Sequence, residues 1–493
     1  MSHHGPRELE ETDKRRLDER VVESGSTLLV GGFILLFVAL AIAIFSANGW
    51  ERFAHAYLLN ASFYLTVSLG GLFFVLGTHL FRASWCASLR RIPETLAANL
   101  GLVAVLFIPV LVMVWSGTGI LYPWAQPYEK MTGYHGDGHA LVDQVDPYAV
   151  TLRDEDIVMT AEDEAAEGHD GDRHDADAHG ADAHHDDGHH GAAGDPQMMG
   201  AGREMVAYMV KAKAWWLNSW FFTLRVVLYF VLWIGMAWWY FGLGQRQDAS
   251  GEADLSRVRE VYAPPLVLLY AFTLLFGTVD LIMSLDPAFY STMLPVIVFA
   301  GGFLSALCLT VLVAMYLQSR GYMQSAVNIE HYHDLGKLMF AFVFFWGYIS
   351  FSQFMLLWYA SIPETVYWLE NRGLSIAERF VNEPTGWWWV SATLLFGHLL
   401  IPFVYLVTRK TKRNLAWLAA AAVWLLLMHW VDLYWMIMPE YSTPRLPGFT
   451  VELILLVSLG CFYVYGLLRV AAGRHVMAVH DPRMPECLAL KQI

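Results

Sequence analysis

Charge is scarce in this 493-residue chain. Asp, Glu, Lys and Arg make up only 16% of it, where a soluble domain carries about 25%. Beside 56% hydrophobic and 15% aromatic residues, that shortage excludes an ordinary soluble enzyme and predicts an all-α polytopic membrane protein. Cysteine is scarce as well: Cys86, Cys308, Cys461 and Cys487 are scattered singly. No CxxC, CxxCH or ferredoxin spacing occurs, which argues against covalent c-type haem, an iron–sulfur cluster or a disulfide framework in this chain. No basic patch is present, so no nucleic-acid partner is expected. The net charge of −14 is misleading here, because the excess of acid over base sits in one loop. The N-terminal segment MSHHGPRELEETDKRRLDER is too charged for a cleaved signal peptide, and the first span is expected to persist in the mature protein.

What the chain does have is ten apolar runs that are candidate spans of a bilayer core, which takes about 20 residues in helical form. They are Thr27–Phe45, His55–Leu80, Leu100–Trp115, Phe221–Phe241, Val261–Leu281, Met293–Leu317, Leu338–Ala360, Trp387–Val407, Leu415–Trp435 and Thr450–Leu468. This divides the chain into an N-terminal tail (1–26), spans one to three (27–115), a long loop (116–213), spans four to ten (214–468) and a C-terminal tail (469–493). Lys and Arg collect in the connections on one side, Arg82, Arg90, Arg91, Arg246 and Arg320 among them. The short connections on the other side hold Arg52, Arg372, Arg379 and Arg445. The positive-inside bias therefore places both termini in the cytoplasm of a multi-pass protein.

The long loop then lies outside. Its centre, EGHDGDRHDADAHGADAHHDDGHH, is low-complexity and reads as a solvated, largely disordered segment. His169, His174, His179, His184 and His189 recur at five-residue steps. Such a step turns about 140° on a helix, so they share no face. With His185 and His190 they are at most weak divalent-metal ligands.

The stretch His333–Arg372 stands out as the one around which the chain is organised. It is apolar enough to span, yet Tyr348, Ser350, Ser352, Gln353 and Tyr359 interrupt it, and in hydrocarbon such groups need internal partners. A helix packed among others is the expectation. Its end, Ser361-Ile362-Pro363-Glu364-Thr365, echoes Arg91-Ile92-Pro93-Glu94-Thr95. Five spans separate the copies, so a true repeat would be inverted across the membrane.

Ionisable residues inside spans are costly and default to functional hypotheses. Toward the outer side lie Asp280, Asp286, Glu364, Glu452 and the pair His429 and Asp432, which are i,i+3 and able to share a proton on one helix face. Toward the inner side lie His79, Glu94, Glu330, His331, His333 and Asp334, and His398 falls near mid-membrane. Asp280, Asp286, His429 and Asp432 are candidates for an outer proton path, and Glu94 and His79 for an inner one. Tyr348, Ser350, Ser352 and Gln353 would serve as relays. Arg225, beside Trp215, Trp216 and Trp220, reads as a snorkelling cation at the outer surface. Each of these residues also has a plain reading as a satisfied packing group or loop-edge residue.

At Asp334-Leu335-Gly336-Lys337, Phe351-Ser352-Gln353-Phe354, Trp358 through Glu364, and Met283-Ser284-Leu285-Asp286-Pro287 with Ser291-Thr292, the sequence resembles a family. The second span, from His55-Ala56-Tyr57 to Arg90-Arg91-Ile92-Pro93-Glu94, fits it as well. The chain is similar to NrfD-like, polysulfide-reductase-type membrane subunits, and within them to the F subunit of bacterial alternative complex III. The resemblance covers about 50–469 and leaves out the His/Asp-rich loop and both tails. It implies two four-helix bundles plus two peripheral helices in the bacterial cytoplasmic membrane, within a quinol:cytochrome c oxidoreductase. It implies as partners the sister C subunit, multihaem and monohaem cytochrome c subunits and an iron–sulfur subunit, with haem c and iron–sulfur clusters in those partners and no cofactor in this chain. The F subunit is thought to be non-catalytic and is proposed to help move protons. Two alternatives stand beside this reading. One is a quinol-binding anchor with its own site at Asp286, Phe289 and Tyr290. The other is a free-standing secondary transporter, against which the lack of two matching Gly/Pro-broken spans argues.

Overall fold

The computed structural model describes residues 16–46, 49–126, 209–374, 386–441, 446 and 448–490. Its described residues form an all-α polytopic membrane protein with ten helices long and apolar enough to span. These are α1 (Val21–Phe45), α2 (Gly49–Leu80), α3 (Arg91–Trp115), α4 (Ser219–Ser250), α5 (Asp254–Leu281), α6 (Leu294–Ser319), α7 (Ile329–Ala360), α8 (Gly386–Val407), α9 (Leu415–Ile437) and α10 (Thr450–Ala471). The histidines proposed as weak metal ligands in the long loop, His169 to His190, lie outside the described residues.

Local chemistry sets several of the boundaries. Asn218 caps α4 by accepting the Phe221 N–H at 2.8 Å, and Gly251 ends the helix in the left-handed region at φ 74°. Asn328 opens α7 in a reciprocal box with His331. Ser361 closes that helix at φ 48°, and Pro363 then starts a short helix to Glu370. Two spans are interrupted: α3 breaks at Asn99 and Phe107, and α8 is π-helical over Leu394–Leu400.

Helices α2–α5 pack as one four-helix bundle and α6–α9 as a second, while α1 and α10 pack against each other at the periphery. The bundles meet along α2 and α6. A Cβ on Gly70 would collide with the Gly302 carbonyl oxygen, so glycine at that crossing permits backbone-to-backbone approach. The two bundles repeat a charge arrangement. Glu94, at the start of the second helix of one bundle, faces Arg259 near the start of its fourth at 3.6 Å. Glu330 and Arg413 hold the corresponding places in the other at 2.6 Å. An offset of four helices preserves direction, unlike the inverted relation that the Ile-Pro-Glu-Thr echo would require. The copies of that echo also open different elements, a spanning helix and the short helix Pro363–Glu370.

The organising helix is α2. In its most apolar window 83% of residues are buried, against 28% for α7, the helix that the interrupted sequence of His333–Arg372 had pointed to. Partners on all sides explain the difference: α2 touches α1, α3, α5, α6, α9 and α10. By contrast, α7 turns Phe344, Tyr348, Phe351, Met355 and Tyr359 outward.

Both ends of the described chain lie at the same end of the bundles. Leu17 N–H donates to the Arg474 carbonyl, and residues 472–490 fold across that end. Asp481 pairs with Arg90 at 2.7 Å, Val479 N–H donates to Asp248, and Cys487 lies 3.2 Å from His331 Nε2. The C-terminal segment, expected as a tail, is an ordered cap there. Burial pushes the Asp481 carboxyl up, but Arg90, the Arg483 N–H and Arg259 outweigh it, and the net shift is downward.

Candidate functional site

Five helices converge on the one neighbourhood that collects the mid-membrane candidates. From α9 come His429 and Asp432, from α8 His398, from α7 Trp346, from α2 Thr66 and from α6 Gly301. Asp432 is 1% exposed, and its Oδ2 accepts the Trp346 indole N–H at 3.0 Å. The Trp346 ring stacks on the His398 imidazole, 3.8 Å between centroids and 26° between planes. His398 is fully buried in the π-helical turn, and neither of its ring nitrogens has a partner. A π-turn inserted in a spanning helix is a recurrent mark of a functional position.

His429 faces another way. Thr66 donates its hydroxyl to the Phe63 carbonyl at 2.9 Å, so its oxygen accepts from His429 Nε2, also at 2.9 Å. This fixes the tautomer: Nε2 carries the proton, and Nδ1, buried and unpartnered against Gly301, keeps its lone pair. The expected exchange between His429 and Asp432 is absent. Although i,i+3, the two side chains bond to different helices.

Beside Asp432 opens a cavity of about 500 Å³ between α7, α8 and α9. Its wall is mostly apolar, from Ile297, Phe354, Leu394 and Leu399, with Trp435 beside Asp432. Two polar atoms on it, Ser350 Oγ and Gln353 Oε1, are buried without a hydrogen-bond partner. Ser350 and Gln353 share the face of α7 that carries Trp346, at i, i+4 and i+7. The other two relay candidates do not. Tyr348 is 59% exposed, and Ser352 donates to the Tyr348 carbonyl on the outward face, so neither reaches this cavity.

The remaining candidates are locked in pairs. Asp280 accepts from Arg225 Nε and Nη2 at 2.8 Å each, from the Tyr229 hydroxyl at 2.8 Å and from the Trp216 indole at 3.1 Å. Arg225 is therefore buried within its bundle rather than snorkelling to the surface, because an opposite charge stands at its own depth on the neighbouring helix. Glu94 belongs to a buried network with Arg91 and Arg259, in which Arg91 also reaches Asp248 at 2.6 Å. His79 donates from Nδ1 to the Val75 carbonyl and accepts from Arg90 at 3.2 Å. Glu452 is held by Arg52 at 2.8 and 3.0 Å. Glu364 lies in the short helix Pro363–Glu370, and its side chain is outside the described residues.

Asp286 sits just beyond α5 at the end opposite the chain termini. Its Oδ1 accepts the Ala288 N–H at 2.9 Å. Of the residues expected to form a quinol pocket with Asp286, Phe289 stacks flat on Trp368 at 4.2 Å and Tyr290 is half exposed. Nearby, Arg372 is fully buried and donates to the Trp435 and Met436 carbonyls at the end of α9 and to Glu440. The sequence had marked it only as a loop cation; a cation on the last carbonyls of a helix also complements its dipole.

Burial, reinforced by Glu440, pushes the Asp286 carboxyl from 3.8 up to about 6. Between those values the folded protein binds more protons than the unfolded chain, so stability falls as pH rises from about 4 to 6. We expect the thermal midpoint of Asp286→Asn in detergent to lose that descending limb. Parallel pH profiles for the variant and the parent would remove Asp286 as its source.

Among the described residues no three His, Cys, Asp or Glu side chains converge to hold a metal ion. No protein-family model matches the chain, and no curated protein matches it.

Proposed function

We propose that this integral membrane protein is the non-redox, NrfD-like subunit of a bacterial quinol-oxidising complex of the alternative complex III type, with a part in moving protons. In this reading the haems and iron–sulfur clusters belong to its partner subunits, and both termini face the cytoplasm. The division into two four-helix bundles and a peripheral pair supports it, as that is the arrangement the resemblance implies.

One observation carries the proton role. Asp280, Glu94, Asp248, Glu452 and Asp481 are each buried beside an arginine. Asp432 is buried to the same degree with an indole N–H alone, on the wall of a cavity. No cation commits it to one charge state, and the cavity has room for the water that a relay needs. Ser350 and Gln353 would hydrogen-bond that water on one side. One unpartnered ring nitrogen of His398, behind the Trp346 ring, and Nδ1 of His429 are the next acceptors inward.

A second reading, quinol binding by this chain itself, is favoured by the same cavity, since an apolar pocket with a few convergent polar atoms suits a ring bearing hydroxyls. A free-standing transporter is less well supported: the interrupted helices α3 and α8 hold different places in their bundles.

The test is to tag the chain, extract it gently from native membranes and record what co-purifies. A c-type haem spectrum with quinol:cytochrome c activity is expected. A colourless, solitary protein that retains its fold after an extraction shown not to strip partners would overturn the proposal.

A further inference from the structure

We propose that the cleft between α6 and α10 is a resident site for one anionic phospholipid, held with its phosphate at the end of the bundles that carries both chain termini. The cleft has a volume of about 970 Å³ and is walled by α2 behind and by α6 and α10 at its sides. Two residues that line it, Leu456 and Ala471, are fifteen positions apart on α10, a rise of about 22 Å. One leaflet of hydrocarbon is about 15 Å deep, with the headgroup region beyond it. The cleft thus has the length of a single lipid, where a soluble ligand would need no such channel.

Its polarity changes along that length. The deep part presents Leu309, Val313, Val457, Val464 and Leu467, and the hydroxyls of Tyr64 and Tyr463 on the same lining are already bonded to the Leu456 carbonyl and to Ser68. The mouth presents Arg320 and Arg474, neither of which makes an ion pair with a described carboxylate. The Arg320 guanidinium lies over the Tyr316 ring at 5.3 Å. Arg474 donates to the Val470 carbonyl and lies over Phe241 at 5.0 Å. Gln245 Nε2, on the same lining, is buried and has no acceptor. Arg91 lines the same wall but is already paired with Glu94 and Asp248. Two guanidiniums that lack a carboxylate partner and an orphan amide N–H are the donor set a phosphodiester takes. Two positive charges without counter-charge favour a headgroup with net negative charge over a zwitterionic one.

The proposal is tested by native mass spectrometry and thermal unfolding of the full chain, in its complex if it has one. Phosphatidylglycerol, phosphatidylethanolamine and inorganic phosphate are added back separately after delipidation. Retention of one anionic phospholipid per chain is expected, with a raised unfolding temperature on adding phosphatidylglycerol and none on adding inorganic phosphate. The double variant R320Q/R474Q should weaken that binding roughly thirtyfold. Val464→Trp, which fills the deep part and leaves the arginines intact, should abolish it. Stabilisation by inorganic phosphate alone would make this a plain anion site and overturn the proposal. So would equal retention of phosphatidylethanolamine, undiminished binding in R320Q/R474Q, or binding that survives Val464→Trp.

Discussion

Methionine in place of Arg225 is expected to be among the most damaging single changes in the protein, at about 3–5 kcal/mol. The reason lies in what it leaves behind. Asp280 is fully buried and takes two of its four hydrogen bonds from Arg225. Without them a carboxylate remains in hydrocarbon with only the Tyr229 hydroxyl and the Trp216 indole. Removing both charges should cost much less, since the desolvation of the pair is relieved together with its attraction. The check is a double-mutant cycle of R225M, D280N and R225M/D280N, read as the unfolding midpoint in detergent. A double variant no better than either single would show that the pair does not act as a unit.

Asp432→Asn should behave in the opposite manner. Asn can still accept the Trp346 N–H, so folding and subunit assembly are expected to be nearly unchanged. What it cannot do is take up and release a proton. If the proposed role is right, proton movement coupled to quinol oxidation in the assembled complex should fall by roughly a hundredfold or more, the scale on which a positioned acid–base group acts. Electron transfer with an unaltered proton-to-electron ratio in D432N would take Asp432 off the path. The two experiments separate carboxylates that a hydropathy reading treats alike. Both sit on the last helix of a four-helix bundle, one locked by a cation and the other not.

Helical period explains one of the misplacements. Along α7 the polar residues Tyr348, Ser350 and Ser352 alternate, and a helix turns about 100° per residue, so they cannot share a face. Trp346, Ser350 and Gln353 fall on one stripe and Tyr348, Ser352, Met355 and Tyr359 on another. That split was available from the spacing; which stripe faces inward was not. The Arg225–Asp280 pair also left a trace in sequence, as opposite charges at one depth on consecutive spans.

The sequence by itself determined the fold class and the ten spans, because crossing a bilayer demands about 20 apolar residues in a helix and that demand is local. It also singled out Asp432, His398 and His429, since ionisable groups in such runs are few. Only the tertiary structure decided which of these groups are neutralised, that α2 rather than α7 is central, that residues 472–490 cap one end, and that Trp346 lies between His398 and Asp432. Those outcomes depend on which helix faces which, and they are set by packing between residues tens to hundreds of positions apart, on which hydropathy and spacing are silent.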